Sequence, residues 1–322
     1  MNTRKLEEMK VLLVNPWADQ YVPEIKRRFP NINLISVRNE DELEGVNVSD
    51  VDVVVTWETL TRTIPRINNL KWFHCLAAGY NHILDAGVLT KEMIFTTVAG
   101  AAAIPVSEFV MGFLFNIVKR FPEMYENQRQ HKFVLHFPGR ELYGKTIGIL
   151  GMGNIGRAVA KKAKAMDMVV LGYDNYVSEA EGVEKIYSGK NLRTVLQMSD
   201  FVVISLPLSE ETAGLIGEDQ FRAMKPGAYL INVARGEIVV REALIKALEE
   251  KIIAGAALDV FWGFANTAGL TPDDELWDIP NVIISPHCAT VTDMFVPRTA
   301  EIFCRNLENY LKGRPMINVI GH

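Results

Sequence analysis

Short apolar runs alternate with longer polar or helix-periodic stretches along almost the whole chain. Val11–Asn15, Leu34–Val37, Val51–Thr56, Trp72–Leu76 and Ile94–Val98 are β-rich runs separated by helical or polar segments. Near-continuous apolar runs belong to strands covered on both faces, so the pattern predicts a parallel sheet with helices on either side. A second series follows at Thr146–Leu150, Val169–Tyr173, Phe201–Leu206, Ala228–Val233, Ala254–Val260 and Val282–Ser285. Six strands of this kind suit the doubly wound nucleotide-binding fold. Between the two series, Ser107–Lys132 carries Phe109, Val110, Phe113, Leu114, Ile117 and Val118 and reads as one long helix joining two α/β domains. Pro122 should kink or interrupt it. Thr292–Leu311 is again helical and has no strand of its own to cover. Its expected place is against the N-terminal domain, which makes the second domain an insertion that the chain enters and leaves once each.

One strand carries a chemical signature. Thr146–Leu150 runs into Gly151-x-Gly153-x-x-Gly156, then a helical stretch over Ala158–Met166, then the strand Val169–Tyr173 and the acid Asp174. That spacing seats a dinucleotide pyrophosphate. The first glycine permits the tight turn, the second lets the backbone approach the phosphates, and the third lets the helix pack on the strand with its N–H groups facing the anion. An acid ending the second strand can accept hydrogen bonds from the ribose hydroxyls and would repel a 2′-phosphate. No Arg or Lys occurs in Asn175–Ser178, so NAD is favoured over NADP. The bland alternative is a glycine-rich turn in an unrelated βαβ unit.

Composition narrows the class. A chain of 322 residues with 48% hydrophobic content can fill two cores. The net charge of -5 comes without a concentrated basic block, so neither nucleic acid nor an anionic membrane is an expected partner; Lys161, Lys162 and Lys164 read as a solvated helix face. Met1–Lys10 is polar rather than signal-like, and no apolar run reaches the length of a membrane span, so a cytoplasmic protein is expected. Cys75, Cys288 and Cys304 lack metal or disulfide spacing and read as reduced, buried thiols; no metal is expected.

Several separate motifs then make the sequence resemble the D-2-hydroxyacid dehydrogenase family over nearly its whole length. They are Ala77-Ala78-Gly79-Tyr80-Asn81, the Gly151–Gly156 loop, Leu206-Pro207-Leu208, Asn232-Val233-Ala234-Arg235-Gly236, Ala256–Phe261, Ser285-Pro286-His287 and Gly313-Arg314-Pro315. The resemblance implies a flavodoxin-like substrate domain in two pieces, 1–103 and 292–322, with a Rossmann NAD domain at 104–291 inserted into it. It also implies an active site in the cleft and a homodimer built on the nucleotide domains.

Hydride exchange between a nicotinamide and a 2-oxo acid needs a cation to hold the carboxylate and polarise the ketone, and a proton donor for the developing alkoxide. Arg235, just past a predicted strand, can grip a carboxylate and a carbonyl together through its planar fork. A surface salt bridge is the alternative for an Arg in this setting. His287, past another strand of the same sheet, matches the family's acid/base residue and can exchange a proton near neutrality; an isolated His is otherwise a structural residue. By resemblance, the amides of Ala78 and Gly79 should bind the substrate carboxylate. Val106, Asn154, Ile155, Leu206, Pro207, Thr212, Val233, Ala234, Arg235, Asp259 and His287 should join Gly151, Gly153, Gly156 and Asp174 around the cofactor. Plainer readings stay open: a tight turn at Ala78-Gly79, a strand-end cap for Asp259, a strand stopped by Pro207.

The sequence departs from the family at one catalytic position. Where members carry a Glu that hydrogen-bonds the catalytic His, this chain has Phe264, within Trp262-Gly263-Phe264-Ala265-Asn266, and the spacing to Arg235 and His287 leaves no gap to blame. Loss of that carboxylate should lower the protonated fraction of His287 at neutral pH. Another acid could substitute, with Glu108, Asp273, Asp274 and Glu275 as candidates. A neutral His could suffice for oxidation, or Trp262 and Phe264 could line an apolar pocket for another substrate; ordinary loop packing also accounts for the two aromatics. Asn81 stands where an Asp is common. The leading expectation is an NAD-dependent oxidoreductase of a small 2-hydroxy or 2-oxo acid. The alternatives are an NAD enzyme with non-standard chemistry and an NAD-responsive regulatory protein.

Overall fold

The computed structural model describes residues 9–77, 79–263 and 270–321. These residues form two compact units, one running to Ala102 and resuming at Thr292, the other Ala103–Val291. The first unit begins with β1 (Lys10–Val14), α1 (Ala18–Arg28), β2 (Asn33–Val37), β3 (Val53–Thr56), β4 (Trp72–Cys75), α2 (Asn81–Asp85) and β5 (Ile94–Thr97). The strands are parallel in the order β2-β1-β3-β4-β5, the flavodoxin-like doubly wound arrangement. Side chains alternate across the pleat: Val11, Leu13, Val53, Val55 and Trp72 enter one apolar cluster and Leu12, Val14, Val54, Phe73 and Phe95 the other. Burial on both faces is why these strands read as continuous apolar runs.

The second unit opens with α3 (Ala103–Lys119) and α4 (Phe121–Arg129), two helices where sequence periodicity suggests one. Arg120 between them takes a left-handed conformation, φ 56°, and Pro122 occupies the first turn of α4, where its missing N–H has no intrahelical partner to lose. The unit continues with β6 (Thr146–Leu150), α5 (Asn154–Ala165), β7 (Val169–Tyr173), β8 (Lys185–Tyr187), α6 (Leu192–Met198), β9 (Phe201–Ile204), α7 (Glu218–Ala223), β10 (Tyr229–Asn232), α8 (Arg241–Glu249), β11 (Gly255–Leu258) and β12 (Val282–Ile284). All its strands are parallel, in the order β8-β7-β6-β9-β10-β11-β12. The sequence pattern misses β8, a short edge strand that is not fully buried and so carries no apolar run. Strand order reverses at β6/β9, so the crevice between their carboxyl ends is where such a sheet binds ligands.

The chain then returns to the first unit as α9 (Phe295–Leu311). Phe303 and Tyr310 of α9 stack on Trp72, with ring centroids 5.3 and 5.7 Å away, and the Tyr21 hydroxyl meets Thr299 at 2.7 Å. Beyond the helix, β13 (Val319–Ile320) pairs antiparallel with β5. Two residues are too few to announce a strand. What places them is Asn306, whose side chain both donates to the Ile317 carbonyl and accepts from the Ile317 amide. No helix among the described residues is long and apolar enough to cross a membrane.

Candidate functional site

Register brings the sequence candidates of the second unit to one edge. Leu150 of β6 pairs with Tyr173 and Ile204, Ile204 with Asn232, Asn232 with Leu258, and Leu258 with Ile284. The residues that follow this row, Gly151, Asp174, Ser205, Val233, Asp259 and Ser285, therefore stand together at the carboxyl edge. Arg235 and His287 each lie three positions past their row residue, on β10 and β12. With β11 between, their starting points are roughly 10 Å apart.

The glycine loop has the shape its spacing requires. Gly151 sits at φ 98°, where a Cβ would lie 2.8 Å from the Leu206 nitrogen, and a Cβ on Gly156 would lie 2.0 Å from the Gly151 carbonyl oxygen. Only glycine lets α5 begin this close to β6. A Cβ on Gly153 would meet nothing within 4 Å, so this glycine answers no protein neighbour. It leaves room beside the first turn of α5, formed by Asn154, Ile155 and Gly156, whose N–H groups have no helical acceptor. A dinucleotide pyrophosphate fits this cradle. The Ser205 hydroxyl donates to the Gly151 carbonyl at 2.8 Å, and Asp174 accepts from the amides of Met152 at 2.8 Å and of Tyr176 and Val177 at 2.8 and 3.0 Å. The acid thus ties the glycine loop to the end of β7. Leu206 and Pro207 follow Ser205, and the Thr212 hydroxyl closes their loop by donating to the Pro207 carbonyl at 2.6 Å. Val106, on α3, is buried in the core at 3% exposure.

The Arg235 turn is built by Asn232. Its side chain accepts from the Ala234 amide at 3.1 Å and donates to the Arg235 carbonyl at 2.9 Å, so the last residue of β10 braces Val233, Ala234 and Arg235. Gly236 then lies against the Phe261–Trp262 backbone, where a Cβ would come within 2.4 Å of Phe261. The Arg235 guanidinium donates to the Ala234 carbonyl at 2.7 Å. Burial pulls its pKa down while the Glu237 carboxylate pulls it up. Glu237 was not a sequence candidate. Its carboxylate also accepts from the Gly263 amide at 3.1 Å, and the Trp262 indole donates to the Val239 carbonyl at 2.6 Å, so the turn after Arg235 holds the turn after β11.

His287 is carried by a strained turn. Its amide donates to the Ser285 carbonyl at 3.0 Å across Pro286, and its φ is 55°, an uncommon conformation for a side chain of this kind. Asp259 holds the turn: it accepts from the Ser285 hydroxyl at 2.6 Å, the Cys288 amide at 2.9 Å and the Ala289 amide at 3.2 Å. Partial burial lowers the His287 pKa, Asp259 opposes that shift, and Arg235 adds to it. The net direction is downward, as expected for a ring without the family's Glu, and the charge of Asp259 offsets part of it.

A family model described as D-isomer specific 2-hydroxyacid dehydrogenase, NAD binding domain, matches residues 111–289. The chain is also 35% identical over 322 residues to a glyoxylate reductase from Thermofilum pendens, covering 97% of this chain and 91% of that one. It belongs to the D-isomer specific 2-hydroxyacid dehydrogenase family. It is 30% identical to a D-3-phosphoglycerate dehydrogenase from Methanocaldococcus jannaschii, over 97% of this chain and 59% of that one. A D-isomer specific 2-hydroxyacid dehydrogenase family protein from Aeromonas salmonicida has a crystal structure that superposes with a TM-score of 0.88 at 30% identity, covering 97% of this chain and 99% of that one. Membership in this dehydrogenase family makes the chain an oxidoreductase with an NAD-binding domain.

The remaining residues singled out in the sequence can be located in part. Phe264 and Ala78 lie outside the described residues, and Gly79 occupies the loop between β4 and α2, with Asn81 opening α2. Of the acids proposed to replace the missing Glu, Asp274 and Glu275 are engaged by Arg241 at 3.0 and 2.9 Å. Glu108 is exposed on α3, and Asp273 is an exposed acid lowered by a hydrogen bond to Thr271. Among the described residues, the acid whose charge opposes the lowering of the His287 pKa is Asp259.

Proposed function

We propose that this chain transfers a hydride between NAD(H) and a small 2-hydroxy or 2-oxo acid. The observation that carries the reading is the strand register, which gathers the glycine cradle, Arg235 and His287 at one carboxyl edge of one sheet. When bound, NAD(H) supplies or accepts the hydride at the substrate's second carbon. Arg235 donates its fork of N–H groups to the substrate carboxylate and carbonyl, which orients the acid and stabilises negative charge on the oxygen. His287 gives a proton to that oxygen in reduction and removes it in oxidation. Asp259 fixes the turn that aims the ring. The first unit is the substrate domain in this reading, and Ala78 and Gly79 are its carboxylate-binding candidates. The acid at Asp174 and the absence of a cation in Asn175–Ser178 favour NAD over NADP. A cytoplasmic homodimer is part of the same proposal.

The test is absorbance at the reduced-nicotinamide band, with NADH and NADPH against a panel of 2-oxo acids that includes glyoxylate, and with NAD against the hydroxy acids. Turnover with NADH that falls by roughly 10²–10⁴-fold in His287→Gln supports the reading. The absence of cofactor turnover across both panels overturns it. Phe264 in place of a carboxylate motivates a second reading, an NAD enzyme whose reaction leaves the cofactor unchanged overall. Co-purifying NAD that is never consumed during turnover would favour it.

A further inference from the structure

The first unit has a topological switch point of its own. Its parallel strands lie in the order β2-β1-β3-β4-β5, so the winding reverses between β1 and β3, and the crevice at their carboxyl ends is where a sheet of this kind takes a ligand. Register aligns the exits: Val14 pairs with Thr56, Thr56 with Cys75 and Cys75 with Thr97. Asn15 and Trp57 are therefore the first residues past the two strands that bound the crevice, and β4, next to β3, runs on toward Gly79. Trp57 is 47% exposed. A single exposed aromatic needs no explanation by itself, but this one stands on a main chain held from several sides. The His82 Nε2 on α2 donates to the Trp57 carbonyl at 2.7 Å, the Glu58 amide to the Thr56 hydroxyl at 2.9 Å, and the Leu76 amide to the Thr56 carbonyl at 2.8 Å. Leu60 is buried on a left-handed backbone at φ 49°, a conformation that a bulky residue keeps only where its surroundings enforce it. On the β1 side, the Asn15 side chain accepts from the Trp17 amide at 2.9 Å, and the Trp17 ring packs edge-on against Phe295 at 5.6 Å.

Charge at this edge is one-sided. The segments 15–17, 57–63, 76–80 and 98–102, which follow β1, β3, β4 and β5, contain a single Lys or Arg, which is Arg62. Its guanidinium is engaged by Glu40 at 3.3 Å and Asp41 at 2.5 Å. Past β2, Arg38 is engaged by Asp19 at 2.5 Å. The half-buried Glu58 carboxyl has its pKa raised by burial and then by the charge of Glu40 and Asp41. Negative charge is already disfavoured there, so a phosphate or a second carboxylate on a substrate would meet the same repulsion. The fixed indole offers apolar area instead, on the order of 100 Å².

We propose that the substrate of this dehydrogenase is a 2-oxo or 2-hydroxy acid with an uncharged branched or aromatic side chain, and that Trp57 selects it. Phosphorylated and dicarboxylic acids are disfavoured by the charge at the edge, and glyoxylate has no side chain for the indole to cover. The proposal rests on the hydride-transfer reading and on the first unit as the substrate domain.

The test is kcat/KM with saturating NADH for glyoxylate, pyruvate, 4-methyl-2-oxopentanoate, phenylpyruvate, oxaloacetate, 3-phosphohydroxypyruvate and 5-guanidino-2-oxopentanoate. One methylene in an apolar site changes kcat/KM by about 10–200-fold. The better of 4-methyl-2-oxopentanoate and phenylpyruvate should therefore exceed pyruvate by about 10-fold or more, and the two acids with a second anionic group by more still. Trp57→Ala should cut that ratio to pyruvate by about 10-fold, with NADH affinity and the circular dichroism melt retained, and Trp57→Phe should keep most of it. The wild-type ranking does not depend on any variant folding. A highest kcat/KM for glyoxylate, pyruvate, oxaloacetate, 3-phosphohydroxypyruvate or the guanidino acid overturns the substrate class while hydride transfer stands. The expected ranking with an unchanged ratio in Trp57→Ala overturns the role of Trp57. No turnover with any of these acids overturns the hydride-transfer reading, and this proposal with it.

Discussion

Gly153 and Gly156 stand three residues apart in one loop, yet alanine at each should fail in opposite ways. At Gly156 the new methyl would lie 2.0 Å from the Gly151 carbonyl oxygen and 3.1 Å from the Gly151 carbonyl carbon and the Ser205 hydroxyl. Non-bonded heavy atoms prefer about 3.5–4.0 Å, so α5 must move off β6 by more than about 1 Å, against backbone rather than a flexible side chain. An overpacking cost near about 3 kcal/mol follows. For a unit of this size that is a fall of roughly 6–12 °C in melting temperature. At Gly153 the methyl would enter space that holds no protein atom within 4 Å, from a backbone at φ -73° and ψ -160° that alanine adopts freely. Stability should hold, or rise by about 0.4–1 kcal/mol through the unfolded chain. Cofactor affinity should fall roughly tenfold or more, about 1.4 kcal/mol or above, because the methyl occupies the approach of the pyrophosphate. Thermal melts followed by circular dichroism and NADH fluorescence titrations on both variants separate the two effects. If Gly153→Ala binds NADH within about twofold of wild type, the cradle is not where the cofactor lies. If Gly156→Ala melts with the wild type, close packing is not the reason for that glycine.

Three further outcomes follow from named groups. The pKa of His287 is lowered, chiefly by burial, so its proton is lost at a lower pH than usual. The kcat/KM for reduction should decline as pH rises through a value below about 6.5, and oxidation should rise through the same value; a controlling pKa above neutrality, measured in both directions, would contradict this. His74 is fully buried in the first unit with its pKa pushed down to about 3. The unfolded chain therefore binds one more proton between that value and about 6.5. The stability is fully present above about pH 6.5 and is lost as pH falls toward 3, at about 1.4 kcal/mol per unit. Urea denaturation at several pH values should show that slope reduced in His74→Phe, and an unchanged slope would refute it. Glu237→Gln keeps an acceptor for the Gly263 amide but removes the charge that competes for Arg235. Its KM for a 2-oxo acid should fall by roughly 2- to 10-fold, whereas Glu237→Ala should raise it; identical kinetics in both variants would remove Glu237 from the site.

Local sequence determined what local physics can determine. The apolar runs gave the main strands of both sheets because burial on both faces writes itself into consecutive residues, and Gly151, Gly153, Gly156 and Asp174 pointed to a dinucleotide because a tight turn, a phosphate approach and a close helix–strand contact each require glycine at a fixed place. Arg235 and His287 stood out as candidates beside Ala-Gly and Ser-Pro. The tertiary structure decided what depends on distant partners. Neither β13 nor β8 has an apolar run long enough to announce it, because each is a short edge strand placed by pairing and by side chains such as Asn306. The left-handed Arg120 that divides α3 from α4 follows from backbone geometry that a Pro two residues later only hints at. Asn232 as the brace of the Arg235 turn, Asp259 as the clamp on His287, and Glu237 between Arg235 and Gly263 are roles made by register, since β10, β11 and β12 must lie side by side before those side chains can meet. Residue type and spacing thus specified which groups are candidates, and strand pairing specified which of them share an edge.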